Sequence, residues 1–399
     1  MNVIAGVLLL AVQAPGAPQE REPGNSPWLE VGGNRFRVYG FPRLDMIYTD
    51  SRLAPNNQFP FWVVSEDPTV QAKDDDEELD LHPRLSRIGI QVERDSIPRW
   101  PSAKISGTLE FDFQNGGSES REAVRMRHAY LRVRDASGFG FLAGQTWDLI
   151  APLLPSVNGD SLGWNVGNLG DRRPQLLVDY LAPAFDETKA YAAVAALRTG
   201  AINNRDLDGD GTADGIDSGK PMLQARLGLH SFLGRIDVHV WGLYAWDEVD
   251  TPVGGEDEFV ARCVGADLTV RLAEGVAIAG EVWKGENLDD VRGGVGQGVN
   301  AVTGEEIDAR GGWGELRFRL TEGYTPSVGI SYDDPDRDDL NPAALGGPRD
   351  LNRTAYLSNH FDLGGGLQIG LEYIYWKTNY VGLDDGDANR LNLWLIYKF

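Results

Sequence analysis

Residues 206 to 217 read DLDGDGTADGID and set Asp206, Asp208, Asp210, Gly211, Thr212, Asp214 and Asp217 at positions 1, 3, 5, 6, 7, 9 and 12 of a loop. Hard oxygen ligands at that spacing wrap one Ca2+. The glycine at position 6 permits the sharp turn, and Thr212 offers its backbone carbonyl. An Asp stands at position 12 in place of the usual Glu, and no EF-hand helices flank the segment. The expectation is therefore a structural calcium site on a loop. The competing reading is a flexible Asp-Gly tip.

Arginines form the second set. Where Val38, Leu44 and Met46 mark one face of an alternating segment, Arg35, Arg37, Arg43 and Asp45 fall on the other. Where Ile88, Ile90 and Val92 mark one face, Arg87, Gln91 and Glu93 oppose them, and Arg132, Arg134, Arg226, Arg317 and Arg319 pass the same test. Arg125 and Arg127 fail it: with Ala129, Leu131 and Val133 on the apolar face they share that side, so a bulge or another register is expected there. Guanidinium groups gathered in a narrowing attract and orient carboxylates. Paired singly with Asp or Glu, the same residues would only brace a wall. Catalysis finds little support. His82, His128, His230, His239 and His360 are scattered without metal-ligand spacing, no GxSxG or HExxH occurs, and Gly293 to Gly298 (GGVGQG) lacks the lysine of a phosphate loop. The single Cys263 rules out an intrachain disulfide and argues against a thiolate cluster.

The elements that must position these residues have a period of two. Leu391, Leu393, Leu395, Tyr397 and Phe399 alternate with Arg390, Asn392, Trp394 and Lys398, and the sequence stops on that aromatic. Ile105, Leu109, Phe111 and Phe113 alternate with Ser106, Thr108, Glu110, Asp112 and Gln114. The 49 glycines, 13 Tyr, 11 Trp and 14 Phe in 399 residues suit many short strands and turns. Beyond the first dozen residues no apolar run reaches the roughly 18 residues a membrane helix needs. Strands need no such run, because only alternate residues meet lipid.

Marking these segments gives about sixteen strands of roughly ten residues, from 35–49 to 390–399, the length of a tilted membrane strand. Their connections alternate long and short, from 50–83 (long) and 97–102 (short) to 363–366 (short) and 379–389 (long). Soluble sandwiches do not sort loops by parity, whereas outer-membrane barrels do. The expected fold is all-β: a transmembrane antiparallel up-and-down β-barrel with long outer loops, short periplasmic turns and a polar, water-filled interior. Residues 35–399 form that barrel, 18–34 a short periplasmic leader, and 1–17 a signal-peptide-like segment whose basic front is missing. Aromatics such as Tyr48, Tyr244, Trp246, Tyr373, Tyr375 and Tyr397 would form interfacial girdles. The net charge of −23 opposes nucleic-acid binding. Acid concentrates in 74–80, 206–217, 289–290 and 333–339. In outer loops beside anionic lipopolysaccharide these runs would need divalent cations as bridges, or they are simply solvated.

The segments YGFPRLDMIYTDSR (39–52), PRLSRIGIQVE (83–93), RMRHAYLRV (125–133) and GQTWDLIAPLLPSVNGD (144–160) resemble those of trimeric outer-membrane porins, most nearly the DcaP-like group. The resemblance implies a sixteen-stranded homotrimer passing small anions, notably dicarboxylates, through an arginine-lined constriction. It also implies that the third long connection, 149–173, folds into the lumen. Asp148, Asn158, Asp160, Asp171, Arg172 and Arg173 would then stand on its rim; the alternative is a loop packed over the barrel mouth. No N-terminal coiled-coil segment of the kind some members carry is present, and the acidic loops could favour another solute. Against passive diffusion of anions stands a second reading, a calcium-dependent adhesion barrel with a plugged lumen.

Overall fold

The computed structural model describes residues 26–56, 59–70, 77–118, 121–157, 161–342 and 346–399. The signal-like segment 1–17, the start of the leader, and Asn158 and Asp160 lie outside the described residues. The chain forms one large antiparallel sheet of 19 strand segments. In chain order the long strands are β1 (Asn34–Phe41 and Arg43–Thr49), β2 (Glu78–His82 and Arg87–Arg94), β3 (Ala103–Asp112), β4 (Arg125–Asp135), β5 (Phe139–Trp147), β6 (Arg172–Phe185), β7 (Thr188–Leu197) and β8 (Met222–Phe232). They continue with β9 (Ile236–Val253), β10 (Glu256–Ala273), β11 (Val276–Glu286), β12 (Asp308–Phe318), β13 (Tyr324–Pro335), β14 (Arg349–Asp362), β15 (Leu367–Tyr380) and β16 (Gly386–Tyr397). The short segment Leu29–Val31 folds back on the start of β1.

Each strand pairs with the next, and β16 pairs with β1 from Arg390↔Thr49 to Ile396↔Arg43. Pro42 interrupts β1 because it has no N–H to donate, yet its carbonyl accepts from Tyr397 N at 3.2 Å. Phe399 N then donates to Gly40 O at 3.0 Å, so the terminal aromatic extends the ladder rather than trailing from it.

The alternation predicted for the outer face is observed. Leu391, Leu393, Leu395 and Tyr397 on β16, Val328 and Ile330 on β13, and Val264 and Leu268 on β10 are exposed, while Arg390, Asn392 and Trp394 between them are buried. So continuous an exposed apolar face is a liability in water and the normal outer surface of a membrane barrel.

Two strands change parity part-way. In β4 a bulge between Met126 and His128 leaves Val124 and Met126 outward below it and Leu131 outward above it, with Arg127 buried. In β2 the break at residues 83–86 separates outward Leu79 and Leu81 from outward Ile88 and Ile90. The bulge expected around Arg125 and Arg127 is therefore real.

One loop expectation fails. Residues 248–257, which the alternation of long and short connections makes a long loop, remain strand: after a register shift beyond Glu248↔Glu258, β9 and β10 meet again at Val253↔Glu256 and are joined by Gly254 and Gly255, at φ +64° and +102°. Positive φ at both central residues fits the tight hairpin turn whose twist matches the strands.

The inner face is not uniformly polar as expected. On β6 to β11, Leu177, Ala193, Ala195, Leu197, Met222, Leu243 and Trp283 form a buried apolar cluster with Leu149, Ile150 and Leu169. Those three belong to the loop after β5, so this half of the interior is covered by chain. The charged groups described next lie mainly on β1 to β4, joined by Arg172 on β6, Arg317 on β12, and Arg198 and Arg292 in connections.

Candidate functional site

The connection from Asp148 to Asp171 crosses the interior and is held by side chains of the opposite wall. Gln224 Oε1 on β8 accepts from Leu149 N at 2.7 Å and Ile150 N at 3.3 Å. Glu281 Oε1 on β11 accepts from Leu153 N at 2.7 Å, and Glu315 on β12 accepts from Ser156 N at 2.9 Å and Ser156 Oγ at 2.7 Å. Further along, Trp283 Nε1 donates to Gly167 O, and Asn352 Nδ2 to Asn165 O, both at 2.7 Å. Gly167 has φ +119°, and a Cβ there would meet Gly312 O at 2.3 Å, so only glycine lets the loop lie against β12. Trp164 packs with Phe59, Phe61 and Trp147. Arg292 stacks on this group, its guanidinium 4.9 Å from the Trp164 ring centre, and holds Asp171 at 2.9 Å. Burial alone would raise the Asp171 carboxyl, but Arg292 and Arg172 outweigh it and hold the group below its usual range.

Two cavities of about 220 Å³ or more border this loop. One, about 540 Å³, is lined by Arg84, Arg125, Arg172, Arg198 and Arg292 with Asp171, Phe59 and Gln114. It lies at the loop end of the wall, where β4 and β5 stop pairing at Ala129↔Gln145. The other, about 220 Å³, is lined by Arg43, Arg87, Arg127 and Arg317 with His360, Trp147 and the loop residues Leu154 to Val157.

A charge chain links them. Arg125 Nη2 and Arg127 Nη1 lie 2.7 and 3.1 Å from Asp112, Arg127 Nε lies 2.7 Å from Glu110, and Arg87 Nε lies 3.5 Å from Glu110. Tyr39 donates its hydroxyl to Glu110 at 2.7 Å. The carboxylates are the hidden partners. Asp45, Asp112 and Glu110 are at most 2 % exposed, whereas the Arg125, Arg87 and Arg317 side chains are 17–24 % exposed. At these three, pairing orients the charge without cancelling it, because the cationic ends face the cavities, whereas Arg43, Arg84, Arg127 and Arg172, at 3–8 % exposed, are buried with their surroundings. Arg198 is exposed and has no carboxylate partner among the described residues.

The sequence-predicted residues divide on this geometry. Arg43, Arg87, Asp171 and Arg172 line the cavities, with Asp45 beneath Arg43 at 2.6 Å. Arg35 pairs with Glu93 at 2.8 Å, Arg37 donates to Gln91 and lies 4.8 Å from the Trp28 ring centre, and Arg132 and Arg134 share Asp179; none of these lines either cavity. Asp148 and Arg173 are not on a rim. Arg173 is fully buried and clamped by Asp148 at 2.8 Å and Asp290 at 2.7 Å, fixing the root of the loop to the loop that follows β11. Arg84, Arg198 and Arg292 were not anticipated. Arg84 lies in the break of β2, where alternation gives no parity, and Arg198 and Arg292 lie in connections.

In the loop after β7, the carboxylate oxygens of Asp206, Asp208 and Asp210 converge within 4.8 Å of one another. Asp217, in the short helix Asp214–Asp217, is pushed above its usual range by partial burial and then by Asp210, Asp250 and Asp208. Asp214 departs from the predicted ligand set: its two oxygens take Arg205 Nε and Leu207 N, each at 3.0 Å. Thr212 N donates to Asp210 at 2.7 Å, which closes the turn.

No family model and no curated protein matches the chain. Solved structures do. The outer-membrane channel DcaP of Acinetobacter baumannii superposes with TM-score 0.71 at 17% identity, covering 94% of this chain and 100% of that one. An anion-selective porin from Comamonas acidovorans gives 0.60 at 10% identity over 92% of this chain and 100% of its own. OmpF of Salmonella typhi, in complex with daunomycin, gives 0.61 at 13% identity over 94% and 100%. Together with the exposed apolar belt and the loop crossing the interior, these likenesses mean that the chain has the fold of the outer-membrane porins.

Proposed function

We propose that this chain is a passive diffusion channel of the bacterial outer membrane, a closed barrel of sixteen staves that passes small anions, dicarboxylates among them. The observation that carries the reading is the arginine chain Arg125, Arg127 and Arg87, laid over buried carboxylates between two interior cavities. A carboxylate solute entering past Arg84, Arg172 and Arg198 meets successive guanidinium donors in fork geometry, each able to hold it briefly and pass it on. The loop from Asp148 to Asp171 forms the constriction, and its backbone N–H groups are already taken by Gln224, Glu281 and Glu315, so it is fixed in place. The return of the ladder from β16 to β1 supports closure. No reactive triad is needed for this activity; the gradient of the solute is its only drive.

The assembly is a homotrimer in a lipopolysaccharide-containing membrane, and Asp206, Asp208, Asp210 and Asp217 hold a Ca2+ ion that stiffens the outer loop. Asp214 would serve that loop by orienting Arg205, not as a ligand. The adhesion reading is disfavoured by the two interior cavities. Liposome swelling with succinate against a neutral solute of equal size tests the function. Faster entry of the dianion is expected, and equal rates or no entry would count against it.

A further inference from the structure

We propose that His230 and His239 form a binding site for a divalent transition-metal ion, Zn2+ or Cu2+, on the inner wall of β8 to β10. Their Nε2 atoms face each other at 3.2 Å, and the ring centres are 4.5 Å apart. Two imidazole nitrogens bound to one tetrahedral Zn2+ at 2.0–2.1 Å lie roughly 3.4 Å apart, so the spacing needs little adjustment.

Each ring has a carboxylate behind it. Asp267 Oδ1 lies 2.7 Å from His239 Nδ1, and Asp237 Oδ1 lies 3.6 Å from His230 Nδ1. At 2.7 Å the Asp267 carboxylate can hold the proton on His239 Nδ1 and leave Nε2 as the metal-donor atom, the arrangement that supports metal-ligating histidines, whereas Asp237 at 3.6 Å acts on His230 only as a nearby charge. With the His239 proton on Nδ1, a cation shared by the two Nε2 atoms takes up the lone pairs of both rings. Asp237 and Asp267 also supply negative charge to offset the ion.

The strand geometry serves the same contact. The ring of His239 lies over Gly228, where a Cβ would meet its Cδ2 at 2.1 Å. Lacking that atom, Gly228 leaves the path to His230 open. Tyr191 stands edge-on to both rings at 5.8 and 6.3 Å. The site is reachable from the interior, because the His230 and Asp237 side chains are 20 % and 25 % exposed. Arg226 Nη2, 2.9 Å from His239 Nδ1 and 3.6 Å from Asp267, and Arg271, 3.1 Å from Asp237, are the opposing charges. If Arg226 donates to Nδ1, His239 instead donates from Nε2 to His230, and the pair needs no ion.

The test uses the purified full-length protein in detergent, stripped with chelator and titrated with Cu2+ and with Zn2+. Expected are one Cu2+ per protomer whose paramagnetic resonance spectrum carries two imidazole nitrogens, and a fall in Zn2+ affinity of about 10-fold or more in H239Q and in H230Q. E322Q, on the exposed turn between β12 and β13, should leave that affinity unchanged. His230 is partly exposed, so H230Q keeps the test valid if H239Q does not fold. Absence of retained metal, a spectrum with oxygen ligands only, or the same Zn2+ affinity in H230Q as in the natural chain would overturn the proposal.

Discussion

The two halves of the interior use buried charge in opposite ways. Beneath the loop, Arg173 is enclosed by Asp148 and Asp290 and fully buried, and the pair serves only to hold the chain in place. Around the cavities, Arg125, Arg87 and Arg317 rest on equally buried carboxylates but keep their heads partly exposed. The difference lies in which partner is hidden. When both are buried the charges cancel; when only the acid is, a field remains for a passing solute.

Breaking the covered half should have the largest effect. Arg173→Met leaves Asp148 and Asp290 buried without their cation and should cost about 3–5 kcal/mol, read as early thermal unfolding of the detergent-solubilised protein. Gly167→Ala places a methyl group against Gly312 O in a backbone region that L residues avoid, at a cost of about 1–3 kcal/mol. It should also raise channel conductance by displacing the loop. At the cavities, Arg87→Gln with Arg317→Gln should move the reversal potential toward zero at a smaller cost in stability than Arg173→Met, because Glu110 keeps Arg127 and Glu315 keeps the Tyr356 and Ser156 hydroxyls. The same pair of changes at Arg132 and Arg134, away from both cavities, should leave the potential where it was, and an equal shift there would erase the distinction between lining and bracing arginines.

Two smaller effects concern the loops. Chelation of Ca2+ should lower the unfolding temperature slightly in the natural chain and not in Asp206→Asn. The carboxyl of Asp171 is held below its usual range, so its contribution is present above the unfolded value and is lost only as pH falls through the lower folded one. Conductance should therefore be flat from pH 7 to about pH 5 as far as this contact is concerned, and a transition near pH 6 that disappears in Asp171→Asn would show that Asp171 is not so held.

Much of the fold was legible, because strand alternation and loop parity are local. Leu391 to Tyr397 announced an outer face directly. What could not be read was where alternation breaks. Arg84 and Arg127 reach the interior through the break in β2 and the bulge in β4, and only the conflict at Arg125 and Arg127 hinted at one of them. Partners distant in sequence were hidden as well. Asp148 and Arg173 looked like rim residues because Asp290, which completes their burial, is 117 residues from Arg173. His230 and His239 seemed scattered because their contact depends on hairpin register, Gly228 opposing His239, and not on a metal-ligand spacing.

The central claim is that exposed arginine heads over buried acids set the selectivity, despite a net charge of −23. The reversal potential of the purified protein in a planar bilayer under a KCl gradient tests it most directly. Stepwise conductance with a potential of the sign for preferred chloride passage is predicted. A potential of the opposite sign, showing preferred potassium passage, would contradict the account and assign the permeation path to the acidic residues.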